Sequence, residues 1–408
     1  MRLQSMSAGR SINLALSHRG IEGLKLVGMD KEILQHAIQM KGRMIHSIEG
    51  DLNFQSYSIR EGEHINSISR RVLNVMLMNA VEELGVKINF LHRLETFNPN
   101  TSEFTFTNKG NRITLSEGAL IATDGANSAA RKFMMDHSAE LRMNYQQKFQ
   151  PYGYKELTIP PGNNGQFLLD ENSLHIWPRG HFMMIALPNP DATFTATLFL
   201  PYEGTEGFDQ LTNTSSVDNF FKKYFNDSKS LIADLHQEFF SNPTGHLNSV
   251  KCSPWSYKDK ILLMGDAAHA IIPFYGQGMN CGFEDVVVFD QLLDKNTNIT
   301  ELFQQFEKHR KINSDSISDL AEDNFEEMRD KVADPIFQRK RILESQLEKK
   351  YPIYYSKYAL VTFRPDISYN SAMIQGRKQD EYLLELCKNK TTFSDHDLSE
   401  IFNAINVL

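Results

Sequence analysis

The sequence predicts a mixed α/β protein, in which a doubly wound domain carries an inserted antiparallel sheet and is followed by helices. Two apolar runs, within 119–131 and 261–280, are each typical of a short strand that ends at an acidic residue beside a glycine. A β-rich segment separates them, and charged helical sequence follows from about Glu301. A return to α/β sequence after a β-rich insertion is expected when a second sheet is built into a doubly wound domain.

The composition is that of an ordinary globular protein and argues against several other classes. The chain has 408 residues, of which 41% are apolar and 23% charged, enough for two or three domains. The formal net charge of −8 argues against a nucleic-acid-binding protein. Cys252, Cys281 and Cys387 form no CxxC pair, which argues against a disulfide framework or a zinc site and favours a reducing compartment. The sequence has neither a signal peptide nor about 18 consecutive apolar residues, so no spanning helix is predicted.

Local patterns predict the elements in order along the chain. Residues 7–38 are expected to be mostly helical after a polar loop, because apolar residues recur there at helical spacing. Residues 67–85 predict an amphipathic helix that Ser69 caps and Gly85 ends. The next elements are strands, over 86–98 and 104–125 and in a hairpin over 176–204 that turns at 188–191.

The stretch "ILLMGDAAHAIIPFYGQGMN", residues 261–280, carries the strongest chemical signal. Asp266 follows the strand at its carboxyl end, where open α/β sheets bind ligands, and its carboxylate can accept hydrogen bonds from ligand hydroxyls. Gly265 lets the chain leave the strand, while Gly276 and Gly278 expose backbone N–H groups. A helix that begins near Met279 would favour negative charge in the same crevice, such as the pyrimidine edge of a reduced flavin. The alternative is a plain strand–turn–helix with a capping aspartate.

A second strand-end acid precedes this motif by about 140 residues. Asp124 and Gly125 follow the apolar run "ALIAT", and small residues come after them. Taken alone, this pair is an ordinary Asp-Gly turn. Two strand-end acids in this order favour a shared cofactor site at the edge of one sheet.

These two motifs together resemble the FAD-dependent aromatic hydroxylases. Further phrases resemble the kynurenine 3-monooxygenases within that group: "RSINLALSHRG", "MKGRMIHS", "ELTIPP", "LHIWPR", "FMMIALPN" and "DNFEEMR". The similarity extends from about Gly9 to about Gly376, which is most of the chain.

The resemblance implies a Rossmann-like FAD-binding domain, an antiparallel substrate sheet over the flavin and C-terminal helices that close the pocket. The implied division is 1–140 and 256–300 for the FAD-binding domain, 141–255 for the substrate sheet and 301–408 for the helical region. The implied reaction uses FAD, NADPH and O2 to convert L-kynurenine to 3-hydroxy-L-kynurenine, in tryptophan degradation and NAD biosynthesis. No side chain is assigned as a general base, and no metal is expected.

The resemblance also assigns substrate-binding residues. Arg43 matches the arginine that binds the substrate carboxylate, for which its planar fork is suited. The other matching residues are Tyr57 and Tyr369 beside the carboxylate, Asn324 and Met328 on a helix over the pocket, and Phe274 and Tyr275 at the ring end. Without the resemblance, Arg43 would be read as a surface residue and the tyrosines and Met328 as core residues. Met184, Leu187 and Phe199 lie on the expected sheet, on faces that the sequence leaves open.

A cofactor-binding set follows in the same way. Arg70 matches an arginine that contacts the cofactor, although the adjacent Arg71 leaves the register open. The remaining assigned residues are Leu94, Asp124, Gly125, Gly265, Asp266, Pro273, Gly276, Gly278, Met279 and Asn280. His269 is interpreted as structural, because no clustered metal ligands or HExxH motif accompany it.

The sequence contains no GxGxxG phosphate-binding motif, so the first βαβ unit of the FAD-binding domain is expected to be missing. A fragment, a gene model begun at an internal Met, and a degenerate copy remain open. The resemblance implies the cytosolic face of the mitochondrial outer membrane, but the polar end, 384–408, shows no membrane-associated segment and puts that attachment in doubt. If the truncated chain is the real product, a soluble cytoplasmic protein is expected. Two other functions remain: an aromatic hydroxylase with another substrate, and a cofactor-free remnant that binds kynurenine or a protein partner.

Overall fold

A computed structural model describes residues 13–116, 118–328 and 334–407. Its strands are β1 (Asn13–Leu16), β2 (Ala37–Met40), β3 (Gly42–His46), β4 (Leu52–Ser56), β5 (Ile65–Ser69), β6 (Arg93–Asn98), β7 (Glu103–Asn108), β8 (Asn111–Leu115), β9 (Leu120–Ala122), β10 (Asn144–Ile159), β11 (Ser173–Pro178), β12 (Met183–Pro188), β13 (Phe194–Pro201), β14 (Gly245–Ser253), β15 (Ser256–Tyr257) and β16 (Ile261–Leu263).

The helices are α1 (His18–Leu26), α2 (Asp30–Leu34), α3 (Arg70–Glu83), α4 (Ala129–Asp136), α5 (Ser138–Leu141), α6 (Thr214–Tyr224), α7 (Asn226–Lys229), α8 (Leu235–Ser241), α9 (Asp266–His269), α10 (Gly278–Leu293), α11 (Ile299–Glu326), α12 (Pro335–Lys350), α13 (Lys357–Phe363), α14 (Tyr369–Asn389) and α15 (Asp395–Ile405). Short 3₁₀ turns lie at Phe208–Gln210 and Pro273–Tyr275. The mixed α/β fold class is therefore confirmed.

The predicted helical start of the chain is partly wrong. Asn13–Leu16 is a strand, because it pairs antiparallel with β5 in a three-stranded sheet of order β1-β5-β2. The helical interpretation holds for His18–Leu26 and Asp30–Leu34, but it fails again at Ala37–Met40, a strand that also pairs with β5. Residues 7–12 lie outside the described part. The amphipathic helix α3 is confirmed, with Gly85 in the left-handed region (φ 80°) after its end. Ser69 occupies the cap position, but its side chain makes no capping hydrogen bond.

A seven-stranded sheet forms the largest layer, in the order β14-β10-β13-β12-β11-β3-β4. Its pairings are antiparallel except for β11 with β3, and the predicted β12–β13 hairpin is confirmed by the register Met183↔Phe199. Alternation along β12 places Met184 in a core with Trp177 and helix α6, whereas Met183 faces the C-terminal helices. The sheet therefore has one fully covered face and one that meets the rest of the molecule.

The two strand-end acids lie at one edge of a smaller sheet of order β15-β16-β9. Strands β16 and β9 are parallel, with Leu263 opposite Ala122, so their carboxyl ends point the same way. Asp266 and Asp124 follow these ends within three residues, as the sequence predicts. A separate antiparallel sheet, β6-β7-β8, packs on the other side through Phe97 and Phe104.

The C-terminal helices cover the open face of the large sheet. Helix α11 is 28 residues long, and its Leu320, Ala321 and Phe325 enter the same core as Met183 and Phe199. Asp380 of α14 pairs with Lys340 of α12 and with Lys357 of α13, 2.5 Å away, which ties three helices together. Among the described residues, no helix has the combination of length and apolar character that crossing a bilayer requires. The four-part domain division stays a prediction.

Candidate functional site

A cavity of about 420 Å³ lies between the large sheet, the turn after β16 and the C-terminal helices. Its sheet wall is mostly apolar and consists of Leu174, Met183, Ile185, Leu187, Thr197 and Phe199. Phe274 closes one side, stacked on Phe325 with ring centroids 4.1 Å apart and 5.0 Å from the Phe199 ring. A flat apolar ligand that carries a few polar groups suits such walls.

One end of the cavity is the turn between β16 and α10. Gly265 takes φ 56° and ψ −142°, a conformation suited to glycine, and Asp266 then lines the cavity. Protein atoms around the Asp266 carboxyl raise its pKa, while nearby His269 and Arg70 oppose that shift. Helix α10 begins at Gly278, where an added Cβ would meet, among the described residues, only the Ile271 carbonyl oxygen at 3.9 Å. The backbone N–H groups here can be approached closely.

A buried amide holds this turn from behind. The side-chain N–H groups of Asn280 donate to the carbonyl oxygens of Ala15 and Gly276, each at 2.8 Å. Its Oδ1 accepts from the backbone N–H of Ser17 at 2.9 Å. Asn280 is fully buried, so its contribution is to fix the shape of the turn against strand β1 and helix α1.

Asp285 of α10 holds the strand side of the same turn. Its carboxylate accepts from the backbone N–H of Gly265 (3.0 Å), from His269 Nε2 (2.7 Å) and from Arg310 Nε (2.6 Å). Burial alone would raise the pKa of Asp285, but the charges of His269 and Arg310 lower it to about 2. The carboxylate therefore stays ionised. It binds both ends of α9, through the backbone N–H of Gly265 before its start and the side chain of His269 at its end.

His269, Cys281 and Asp285 bring their ligand atoms within 4.8 Å of one another. Arg310 already supplies the cation of this cluster, with Nη2 3.2 Å from Cys281 Sγ and Nε on Asp285. A second cation there would face the guanidinium at close range. The geometry accordingly supports the structural interpretation of His269.

Another part of the cavity wall presents a half-buried cation among tyrosines. The Arg43 guanidinium carbon lies 4.7 Å from the Tyr358 ring centroid and 5.6 Å from that of Tyr57. Tyr358 also stacks on Tyr57 and Tyr275, with ring centroids 5.3 and 5.4 Å apart. No ion pair among the described residues includes Arg43, and its Nε is buried without a hydrogen-bond partner there. An anionic ligand group would complete this arrangement.

The tyrosines at this end are neutral hydrogen-bonding groups. Burial raises the pKa of both Tyr57 and Tyr275. Their hydroxyl groups are buried without a partner among residues 13–116, 118–328 and 334–407. Arg43 therefore provides the positive charge, and the phenols provide donors beside it.

Comparison with known proteins identifies the cofactor and the fold. The FAD binding domain family model matches residues 8–310. A tetrameric form of 2-methyl-3-hydroxypyridine-5-carboxylic acid oxygenase superposes with a TM-score of 0.65 at 16% identity, over 85% of this chain and 89% of that one. An FAD complex of a Klebsiella pneumoniae HpxO variant gives a TM-score of 0.64 at 16% identity, over 82% and 87%. FAD is therefore the cofactor.

Curated relatives decide the family. A kynurenine 3-monooxygenase of Myxococcus xanthus is 43% identical over 404 residues, which are 98% of this chain and 86% of the relative. One from Dictyostelium discoideum is 42% identical over 400 residues, covering 94% and 86%. The chain belongs to the kynurenine 3-monooxygenase family. It is a flavin-dependent monooxygenase, as the resemblance predicted.

The residues of the turn suit the cofactor of this family. Asp266 offers a carboxylate to ligand hydroxyls at the carboxyl edge of a parallel strand pair, and Gly276 and Gly278 keep the backbone open beside it. Arg70, Leu73, Asn74 and Leu77 form one stripe of α3 that faces the same space. A flavin can lie against this turn with its polar edge on backbone N–H groups.

The structure brings most of the predicted kynurenine 3-monooxygenase residues together. Those that line the cavity are Arg43, Tyr57, Arg70, Asp266, Pro273, Phe274, Tyr275, Gly276, Gly278, Met279 and Met328. Those that do not line it are Leu94, Asp124, Gly125, Gly265, Asn280, Asn324 and Tyr369. The roles of both sets remain predictions.

Several of the second set support the cavity from outside. Asn324 donates to the Phe274 carbonyl oxygen at 2.6 Å. Asp124, in contrast, is exposed, and its Oδ2 accepts from the backbone N–H of Ala129 at the start of α4, at 2.7 Å. Tyr369 lies behind the turn, where its hydroxyl donates to Gln277 Oε1 at 2.8 Å. Leu94 packs in the cluster that contains Trp255, beneath β16.

Tyr358 is the main residue that sequence reasoning missed. It lines the cavity on α13, where it touches Arg43, Tyr57 and Tyr275. The run "YPIYYSKY" holds tyrosines 354, 355 and 358 at helical spacing, which could have drawn attention to this helix.

Proposed function

We propose that the chain hydroxylates L-kynurenine at ring carbon 3, with bound FAD, NADPH and O2. The reaction consumes one O2 and one NADPH with a proton, places one oxygen atom on the ring and releases the other as water. The observation that carries the proposal is Arg43, a half-buried cation that lines an apolar cavity shared with the flavin turn, has no ion-pair partner among the described residues and keeps its Nε buried without a hydrogen bond there.

The substrate's polar end fits the Arg43 end of the cavity. The kynurenine carboxylate would accept a forked pair of hydrogen bonds from the guanidinium, with donors from Tyr57 and Tyr358 beside it. Tyr358 takes here the place beside the carboxylate that the resemblance assigned to Tyr369. Because the Arg43 guanidinium is half-buried among tyrosine rings, this contact contributes more than a fully exposed surface pair would.

The aromatic end would lie between the sheet wall and Phe274. Met183, Ile185 and Phe199 present apolar surface to the ring from the sheet, and Met328 covers it from the helical side. FAD supplies the redox chemistry when bound, by taking electrons from NADPH and activating oxygen. The protein's own contribution is to fix the ring near the turn and to exclude water.

Binding of L-kynurenine to the FAD-loaded chain tests this proposal. Removing a cation from a buried charge pair costs about 3 kcal/mol, so Arg43→Ala is expected to weaken binding about a hundredfold. Arg71→Ala is the matched control, because Arg71 is exposed on α3 and does not line the cavity. An Arg43→Ala protein that binds kynurenine as tightly as the control would contradict the proposal.

The visible absorption spectrum after incubation with FAD and desalting is a second test of the proposal. A retained flavin spectrum supports it, while a colourless protein that still binds kynurenine would contradict it. Location on the mitochondrial outer membrane stays a prediction from the resemblance, which cell fractionation would test.

A further inference from the structure

One hydroxyl group interrupts the apolar sheet wall of the cavity. Thr197 lies on β13, on the same face as Phe199, and only 1% of it is exposed. Its Oγ1 is buried and makes no hydrogen bond to any described residue. The other residues of this wall are Leu174, Met183, Ile185, Leu187 and Phe199.

The neighbours of Thr197 in the sheet leave the hydroxyl unsatisfied. Ile185 lies opposite it on β12 and has no polar side-chain atom. Glu156 lies opposite it on β10, yet Thr197 Oγ1 forms no hydrogen bond to that carboxyl group. A buried hydroxyl without a hydrogen-bond partner lowers the stability of the folded protein. A hydroxyl at this position therefore indicates a ligand that forms the missing hydrogen bond.

We propose that the Thr197 hydroxyl binds the ring amine of the substrate and thereby selects 2-aminophenyl ketones over plain phenyl ketones. The inference rests on the proposed function. In L-kynurenine one amine N–H turns toward the adjacent ketone oxygen, while the other N–H is free to donate to a hydroxyl oxygen. A threonine hydroxyl can accept that hydrogen bond without introducing charge into the apolar wall.

The distance across the sheet suits a substrate held at both ends. Strands β3, β11, β12 and β13 are consecutive neighbours, so the strands of Arg43 and Thr197 are three strand spacings apart, about 14 Å. The pairing places Thr197 level with Ile45, two residues from Arg43, so the two backbones are about 16 Å apart. The long Arg43 side chain reaches into this span from one end. The carboxylate of an extended kynurenine can then meet Arg43 while its ring amine meets Thr197.

An anchored amine also determines which ring carbon faces the flavin turn. Carbon 3, the proposed site of hydroxylation, is bonded to the carbon that carries the amine. Thr197 is two residues from Phe199, whose ring contacts Phe274 of the turn at 5.0 Å. A hydrogen bond at Thr197 would therefore hold the amine-bearing edge of the ring close to the turn.

Calorimetric binding of two ligands to the FAD-loaded chain tests the proposal. The ligands are L-kynurenine and 3-benzoyl-L-alanine, which is the same molecule without the ring amine. Thr197→Val keeps the shape of the side chain and removes its hydroxyl. The Kd of L-kynurenine is therefore expected to rise about three- to tenfold, while the Kd of 3-benzoyl-L-alanine stays unchanged. Thr197→Ser, which keeps the hydroxyl, is expected to bind L-kynurenine within about twofold of the wild type.

Other results would overturn the proposal. If Thr197→Val weakened the binding of both ligands equally, the Thr197 side chain would contribute only packing. If the binding of both ligands were unchanged, Thr197 would have no role in binding. A wild-type protein that binds neither ligand would defeat the proposed function itself, and this inference with it. In turnover, Thr197→Val is expected to release more hydrogen peroxide per NADPH consumed, because the ring is held less firmly; an unchanged ratio would contradict the claim on orientation.

Discussion

The guanidinium carbon of Arg43 lies 4.7 Å from the ring centroid of Tyr358. This contact connects strand β3 of the large sheet to helix α13 of the C-terminal region. Tyr358 in turn stacks on Tyr57 and Tyr275. The substrate end of the cavity is therefore assembled from three distant parts of the chain.

Removing the Tyr358 hydroxyl is expected to weaken L-kynurenine binding. Tyr358→Phe keeps the stacking and the contact with Arg43 but loses one donor, so Kd should rise about five- to tenfold. Tyr382→Phe is the matched control, because Tyr382 packs in the separate cluster of α12, α14 and α15. Titration of both FAD-loaded variants measures the effect. Equal affinities in the two would show that the Tyr358 hydroxyl does not contact the carboxylate.

Asp285→Asn is expected to weaken FAD binding at least tenfold. Asparagine cannot accept from Gly265, His269 and Arg310 together, so the Gly265–Asp266 turn loses its clamp, and the buried Arg310 guanidinium keeps only one of its two carboxylate partners, Glu284. The free energy of unfolding should fall by about 3 kcal/mol. Asp290→Asn on the same helix is the control, and flavin fluorescence quenching is the measurement. If Asp285→Asn bound FAD as tightly as the control, Asp285 would not be needed for cofactor binding.

Gly20→Ala should disturb the flavin turn from behind. An added Cβ would lie 2.4 Å from Asn280 Oδ1 and 2.7 Å from Leu16 Cδ1, so Asn280 would have to move from Ala15 and Gly276. We expect FAD Kd to rise about tenfold, equivalent to 1.4 kcal/mol. Gly282→Ala, where the nearest atom to the added Cβ is 4.0 Å away, should bind FAD normally. Identical behaviour of the two variants would contradict the role given to Asn280.

Stability should rise with pH between about 4 and 6.5 because of His175. Burial lowers its pKa from 6.5 to about 4, while its ring nitrogens contact the Asp170 carbonyl oxygen and His46. The unfolded chain then binds more protons in this window, so the stabilisation is present above pH 6.5 and lost as pH falls toward 4. The expected loss is about 3 kcal/mol.

Urea unfolding of the wild type and of His175→Gln at pH 7 and pH 4.5 measures this contribution. The glutamine variant keeps a hydrogen-bonding side chain but cannot titrate, so its free energy of unfolding should fall less over the same interval. A difference between wild type and variant that does not change with pH would refute the assignment.

The sequence was sufficient for the elements that local patterns determine. The two strand-end acids could be placed at one sheet edge because parallel strands bring their carboxyl ends together, and β9 and β16 are parallel. The hairpin over β12 and β13 followed from alternation and turn residues. In contrast, the four residues of β1 are too few to show a period, and only their pairing with β5 makes them a strand.

Choices between helix faces and sheet faces needed the tertiary structure. Alternation shows that Met184 and Leu187 lie on opposite faces, but it cannot say which face meets the cavity. Tyr358 and Tyr369 both lie in helical sequence, and only the packing of α13 against β3 places Tyr358 at Arg43. Likewise, only the tertiary structure shows that the Thr197 hydroxyl has no hydrogen-bond partner among the described residues.

The most direct test of the central claim is the product formed by the purified, FAD-loaded chain from L-kynurenine, NADPH and air. Mass spectrometry and comparison with a standard should show 3-hydroxy-L-kynurenine, formed in step with NADPH oxidation and lost in Arg43→Ala. NADPH oxidation without a hydroxylated product, or a flavin-loaded chain that leaves L-kynurenine unchanged, would contradict the account.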